Sequence, residues 1–214
     1  MIANHSKLGL GVYSLPVASK LIGVSSQKLR RWTSEEDGVV QSRFNQKDAI
    51  SFLDMMELLF VKMFRDENVS MQTIKLAAKK ASDKFNTDYP FAVKRFDTDG
   101  KTIFATLIKS EDDRELIEDL RHGQLVFRSI IKPFFKRLEY GQSDALRYWP
   151  LLKSGRVVLD PMRSLGQPID SKTGVPTRAI FDAVQAGQSQ KLVAKWFDVP
   201  TAAVRQAVKF EKSL

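Results

Sequence analysis

The stretch YSLPVASKLIGVSSQKLRRW, residues 13–32, decides the predicted fold of the N-terminal part of the chain. It predicts two short helices joined by a sharp turn. Pro16 suits the first turn of a helix, where its missing N–H costs nothing, and Gly23 accepts the left-handed backbone that ends one. Ser25 is placed to cap a second helix through its hydroxyl, and that helix ends at Trp32. The sequence therefore predicts a helix-turn-helix.

The second helix of this motif has an apolar side and a cationic side. At about 100° per residue, Leu29 and Trp32 fall on one side, where they can pack on the first helix. The opposite side is then free to enter a DNA major groove, where arginine suits guanine and glutamine suits adenine. A solvated basic hairpin is the alternative, but the turn glycine, the capping serine and the Arg-Arg-Trp ending favour DNA binding. The predicted DNA-binding residues are Ser26, Gln27, Lys28, Arg30, Arg31 and Arg43.

Composition narrows the classes of protein. The 214 residues are 43% hydrophobic with 14 Phe, enough for a real core, and the net charge of +9 favours polyanionic partners. Two histidines, no cysteine and no convergent carboxylate set argue against an enzyme, and they predict neither a metal site nor a cofactor. We find no signal peptide or membrane span, and we expect a cytoplasmic, nucleoid-associated bacterial protein.

The segment after the helix-turn-helix predicts a short strand or wing and then two helices. The wing covers residues 39–44, and Asn45 is predicted to cap a helix from Gln46 to about Arg65. Because this helix is apolar nearly all round, it should be buried, against the helix-turn-helix and a second subunit. Glu57 lies within it and is given no catalytic role. The next helix, from Met71, has lysines interpreted mainly as a solvated face: Lys75, Lys79, Lys80 and Lys84.

The middle region, residues 88–150, predicts a β-hairpin followed by helices. Residues 91–96 and 101–108 would pair around an Asp-Gly turn at Gly100, and the aspartates there are interpreted as turn residues rather than cation ligands. A helix opening at Ser110 carries an apolar stripe that Pro133 should kink. Such a stripe is usually core, but it could also form a toxin-binding or dimer surface: Phe127, Ile131, Phe134 and Phe135.

The C-terminal module, residues 151–214, predicts a short strand and three helices, the second capped by Ser189 and the third started by Pro200. The apolar spacing of its last two helices repeats that of residues 17–30, so a second helix-turn-helix is plausible. The match lies in packing positions rather than groove-facing ones, which favours a structural or partner-binding hairpin over DNA contact. A second DNA or partner site is predicted at Lys191, Lys195, Arg205 and Lys209.

Two stretches resemble known families. YSLPVASKLIGVSSQKLRRW, with FLDMMELLFVKMFRDENVSMQTIKLAAKKA further on, resembles MerR-type DNA-binding domains. The region from Val157 to Glu211 is similar to a small domain family, formerly of unknown function, that supplies the antitoxin of VapBC-like pairs. The motifs that carry this second resemblance are Asp160-Pro161, Gly166-Gln-Pro168, Thr173-Gly-Val-Pro176 and Gly187-Gln-Ser189.

The resemblances imply a mainly α fold with small β elements: a MerR-like winged helix-turn-helix over residues 1–87, the middle region, and an antitoxin-type helical module. They further imply a type II antitoxin that neutralises a PIN-like ribonuclease toxin and represses its own operon by binding operator DNA. We expect it to act as a homodimer. The alternative is a MerR-like regulator that responds to a small-molecule effector held in residues 88–150. Within that region the only histidine, His122, is interpreted as a surface residue.

Overall fold

A computed structural model of the chain describes residues 11–34, 36, 38–40, 48–142 and 144–214. The chain is mainly helical with small sheets, as predicted. Most of the predicted wing, the proposed cap Asn45 and the proposed DNA contact Arg43 lie outside the described residues.

The chain divides into two compact units. The N-terminal unit comprises Ser14–Lys136 and Tyr140–Ala145; the C-terminal unit comprises Arg137–Glu139 and Leu146–Leu214, together with residues 11–13. The predicted boundary at residue 87 falls inside the first unit.

The N-terminal unit is built mainly from helices. Its described elements are β1 (Val12–Ser14), α1 (Leu15–Ile22), α2 (Ser26–Trp32), β2 (Ala49–Ser51), α3 (Phe52–Asp66), α4 (Met71–Phe85), α5 (Lys94–Lys109), α6 (Arg114–Val126), a π-helical turn (Phe127–Ile131) and α7 (Lys132–Phe134). Ser14, the last residue of β1, belongs to this unit.

Helix α3 forms the centre of the unit's core. Its buried aromatic rings contact rings from later segments: Phe60 lies 5.2 Å from Phe135 and 6.2 Å from Phe91, measured between ring centroids. The prediction that this helix is buried is confirmed, but its predicted start at Gln46 is wrong. The helix begins after Ser51, whose side chain and that of Asp54 form a capping box, and the preceding residues are strand β2.

The predicted β-hairpin is wrong, because residues 94–109 form the continuous helix α5. The Asp-Gly pair that suggested a turn lies inside the helix. Gly100 is buried there, and a Cβ added to it would come 2.3 Å from the ring of Phe127. The glycine therefore permits close packing of a ring rather than a turn. Asp99 pairs with Lys84 at 2.8 Å, which places that aspartate on the helix surface.

Replacing Gly100 with alanine tests this interpretation. Alanine favours a helix by about 1 kcal/mol over glycine, but the buried Phe127 ring would have to move, and overpacking typically costs about 1–3 kcal/mol. We expect a net loss of up to about 2 kcal/mol in the free energy of unfolding, measured by urea denaturation. Thr102→Ala, on the exposed face of the same helix, should not destabilise the protein. A stabilised Gly100→Ala variant would contradict the packing.

The stripe considered as a toxin or dimer surface lies largely in the core. Phe127, Ile131 and Phe135 are buried, and Phe134 is half-buried with its ring 5.4 Å from that of Phe60. Phe127 and Ile131 lie in the π-helical turn before Pro133. Three of the four side chains are therefore core residues, so the possible toxin or dimer surface is not open at them.

The C-terminal unit combines a small sheet with three helices. The sheet has the order β3-β4-β5-β6, and Val157 in β5 lies opposite Asp170 in β6 in an antiparallel pair. Its elements are β3 (Leu138–Tyr140), β4 (Ala145–Tyr148), β5 (Val157–Leu159), β6 (Pro168–Asp170), α8 (Thr177–Gln185), α9 (Gln190–Trp196) and α10 (Thr201–Glu211). The three helices share one apolar core, centred on Ile180, Val193 and Val204. These helices were predicted within one or two residues.

Candidate nucleic-acid interface

The α1–α2 pair has the local features that the sequence predicted. Gly23 has φ 73° and its N–H donates to the carbonyl of Ser19, so it ends α1 in the left-handed conformation. The hydroxyl of Ser25 accepts a bond from the backbone N–H of Lys28 at 3.3 Å and caps α2. Leu29 and Trp32 are both buried. The apolar side of α2, which carries Leu29 and Trp32, therefore faces inward.

The opposite side of α2 is exposed and cationic. Gln27, Lys28, Arg30 and Arg31 are exposed, and Ser26 is half-buried. The ammonium of Lys28 lies 5.7 Å from the centre of the Trp32 ring. The Arg30 side chain is 63% exposed and pairs through Nη2 with Oδ1 of Asp48 at 2.7 Å. The five described members of the predicted DNA-binding set thus lie on one helix, four of them exposed to solvent.

The second helix pair, α9–α10, repeats the packing of the first. Ala18 and Leu29 are buried, as are their counterparts Val193 and Val204. Val17 is 43% exposed and its counterpart Leu192 is 38% exposed. The sequence comparison therefore identified equivalent positions in the two helix pairs.

The two pairs differ in what surrounds their second helix. α10 packs against α8 and also contacts β5 and β6. The side-chain oxygen of Gln206 on α10 accepts a 2.6 Å bond from the backbone N–H of Arg156. Much of α10 is thus occupied by its own unit, while Arg205 and Lys209 remain exposed.

Helix α9 exposes apolar as well as basic side chains. Lys191 and Lys195 are exposed, and each precedes an exposed apolar residue, Leu192 and Trp196. Trp196 is 57% exposed, which is unusual for so large an aromatic side chain. The lysines were singled out from the sequence, whereas the tryptophan was interpreted only as a packing residue. We call these four residues the α9 surface.

Asp160 and Thr173, two of the motif residues of the C-terminal region, make structural contacts with other residues of the unit. Buried Asp170 accepts two bonds from the Arg156 guanidinium, at 2.6 and 2.8 Å, and two more from the backbone N–H and hydroxyl of Thr173. Burial alone would raise the pKa of Asp170, but the arginine and threonine bonds outweigh it and hold the pKa below its usual range. Asp160 is buried in the same way, with Arg147 as its partner at 2.8 Å.

Sequence reasoning assigned no role to Glu57, and the contacts of its side chain are structural. This buried side chain accepts bonds from the backbone N–H groups of Phe91 at 2.8 Å and Ala92 at 2.6 Å, through the same oxygen. Burial raises its pKa well above the usual range, although the two backbone bonds lower it. The carboxyl therefore anchors the segment before α5 to α3. A charged residue inside an otherwise apolar run was the available signal.

An open cavity of about 540 Å³ lies in the N-terminal unit, near the start of α5. Its polar lining includes Asn86, Thr87, Lys94, Arg95, Thr98 and Asp144.

His122 is exposed, with Nε2 2.6 Å from the carbonyl oxygen of Glu67. Within the described part of the chain, no group of three or more potential metal ligands occurs. No helix in that part has the length and apolar character needed to cross a membrane.

The fold and these surfaces define a mainly helical chain with two similar helix pairs, the first with an exposed cationic face. No protein-family model matches the chain. It is 28% identical over 90 residues to "Putative antitoxin VapB45" from Mycobacterium tuberculosis (strain ATCC 25618 / H37Rv). The match covers 41% of this chain and only 38% of that relative.

The fold is shared with a solved structure. The X-ray crystal structure of Rv2018 from Mycobacterium tuberculosis aligns with a TM-score of 0.76, over 94% of this chain and 99% of that one. The sequence identity is 19%, so this likeness concerns the fold alone.

Proposed function

We propose that the chain is a type II antitoxin that binds operator DNA through α2 and neutralises a PIN-like ribonuclease toxin. The observation that carries the DNA-binding part is the exposed face of Gln27, Arg30 and Arg31, held outward by buried Leu29 and Trp32. The similarity to an antitoxin over 90 residues supports the toxin-binding part. Binding to its own operator would make the protein a repressor.

The mechanism on DNA follows from the chemistry of this face. Arginine and glutamine side chains match the major-groove edges of guanine and adenine, and lysine contacts phosphate without reading sequence. A homodimer would present two α2 helices about 34 Å apart, so we expect an inverted-repeat operator with one half-site per helical turn. Affinity should fall steeply with salt, because phosphate contacts release counterions.

Replacing Arg30 with alanine tests the proposed DNA contact. We expect operator binding to weaken by about 1–3 kcal/mol, with relaxed base preference at one position of each half-site. Gel shifts on the DNA upstream of the gene, with single-base variants of the site, measure both effects. Arg178→Ala removes an equally exposed arginine from α8 and serves as the control, with no change of base preference expected. If Arg30→Ala bound DNA with the affinity and base preference of the parent, α2 would not be the recognition helix.

For the toxin we propose the α9 surface as the docking site. Phe127, Ile131 and Phe135 are buried, so these side chains do not form an open docking face, although Leu125 and Ile130 beside them are exposed. By contrast, Leu192 and Trp196 lie one helical turn apart on α9, each next to an exposed lysine. An apolar recess with an acidic rim on the toxin would complement this arrangement. Arg205 and Lys209 extend the basic charge available to the same partner.

A second candidate function is supported by the cavity near the start of α5. It is lined by Lys94, Arg95, Asp144 and several uncharged polar side chains, so its two cations outnumber its one carboxylate and a small anionic effector would suit it. In that case the chain would be a ligand-responsive regulator. Purification from the native host distinguishes the two: a co-purified ribonuclease supports the antitoxin, and a bound small molecule supports the regulator.

A further inference from the structure

Arg30, the central cation of the proposed DNA-binding face, is already paired within the chain. Its Nη2 donates to Oδ1 of Asp48 at 2.7 Å, with the two side chains 63% and 75% exposed. The backbone of Asp48 is fixed as well, because its carbonyl oxygen accepts a 3.1 Å bond from the N–H of Leu15 at the start of α1. The carboxylate is therefore held beside α2 by the same unit that carries the arginine.

Stability does not explain this pair. An ion pair with both partners exposed to this extent contributes little to folding, because water screens it and two side chains must be ordered. A carboxylate beside a DNA-binding face also repels phosphate and so lowers affinity for any duplex. A negative charge at this place is therefore a disadvantage for binding DNA in general.

The same charge is an advantage for discriminating between DNA sequences. Arginine has five N–H donors, and the contact with Asp48 uses one of them, which leaves enough for a bidentate bond to guanine. Holding the guanidinium reduces the rotamer freedom that is lost when a base is bound. On a wrong sequence, a free arginine would instead turn to a phosphate, and the carboxylate competes with that contact.

We infer that Asp48 is a positioning residue that makes Arg30 selective for a base edge over the phosphate backbone. The inference rests on the proposed function and deepens it, because it assigns sequence discrimination to a residue that does not itself contact a base. It also requires that removing the carboxylate increase binding to unrelated DNA.

The test compares the parent chain with Asp48→Asn on two duplexes: one selected by the parent from a random-sequence pool, and one of scrambled sequence. We expect the scrambled duplex to be bound more tightly by the variant, and the affinity ratio between selected and scrambled duplexes to fall at least about fivefold. That is the lower end of the discrimination that one bidentate arginine–base contact provides. The melting temperature should change by less than about 2 °C, and Asp48→Glu should restore part of the ratio.

Asp182→Asn is the matched control, since it breaks another exposed Arg–Asp pair, Arg178–Asp182, with the same change of charge. It should leave the ratio unchanged. If Asp48→Asn bound both duplexes more tightly by the same factor, Asp48 would be a repelling charge only, and the inference would be rejected. Loss of both affinities together with a lower melting temperature would reject it as well. If the parent showed no preference for any duplex, the proposed function would fail, and the inference with it.

Discussion

Replacing Asp170 with alanine is expected to lower the free energy of unfolding of the C-terminal unit by about 3–5 kcal/mol. The Arg156 guanidinium, only 16% exposed, would lose its bidentate partner and remain as an uncompensated charge. Thr173 would lose the acceptor for its backbone N–H and its hydroxyl. Urea denaturation followed by the fluorescence of Trp149 and Trp196 measures the effect.

The pair Arg178–Asp182 provides the control for this change. Because both of its side chains are exposed, Asp182→Ala should cost less than about 1 kcal/mol. A cost for Asp170→Ala as small as that of the control would show that the buried pair does not stabilise the unit.

The shifted pKa of Asp170 determines whether the stability of the folded chain rises or falls with pH. The pKa of Asp170 is lower in the folded chain than in the unfolded one. Its contribution to stability is therefore complete above the unfolded pKa, about 3.9, and is lost as the pH falls through the folded pKa. The parent should lose stability in this acid range, and the Asp170→Ala variant should lose less.

Replacing Trp196 with alanine is expected to weaken the proposed toxin complex by at least about 2 kcal/mol, or roughly 30-fold in Kd. Tryptophan is among the residues that most often dominate the energy of protein interfaces, and this one is largely exposed. For the same reason its loss should leave the stability of the free chain nearly unchanged. Calorimetric titration against the product of the neighbouring open reading frame measures the Kd.

Leu125→Ala provides the matched control, because Leu125 is also exposed but belongs to α6 of the other unit. It should leave the Kd unchanged. Lys195→Glu should weaken the complex and reduce its dependence on salt, if the partner surface is acidic. A complex that forms with parental affinity in Trp196→Ala would exclude the α9 surface as the docking site. Loss of operator binding instead of toxin binding would assign this surface to DNA.

Elements with local signals were predicted well. Gly23, Ser25 and Ser189 end or cap helices through bonds to neighbouring residues. A few consecutive residues are therefore enough to predict where these helices begin or end. The repeat of apolar spacing between the two helix pairs is also a property of sequence, and the counterparts Ala18 and Val193, and Leu29 and Val204, are all buried. For this reason the helix bounds of the C-terminal unit agree with the prediction.

Features that depend on distant contacts were not predicted. Gly100 lies in a helix where the Phe127 ring packs against it, and no residue near Gly100 in the sequence indicates that contact. A spacing typical of an amphipathic stripe does not say whether the stripe faces a core or a partner, so the burial of Ile131 and Phe135 was left open. Glu57 obtains its partners from a segment 34 and 35 residues away. The Asp48–Arg30 pair likewise joins separate segments.

The central claim is that the exposed side of α2 enters the DNA groove. Photo-cross-linking tests it most directly, with benzoyl-phenylalanine placed at position 27 on α2 or at position 209 on α10. The claim predicts cross-links from position 27 to bases within both halves of an inverted repeat, and none from position 209. Cross-links to bases from position 209 alone would contradict it and transfer DNA recognition to the C-terminal helix pair.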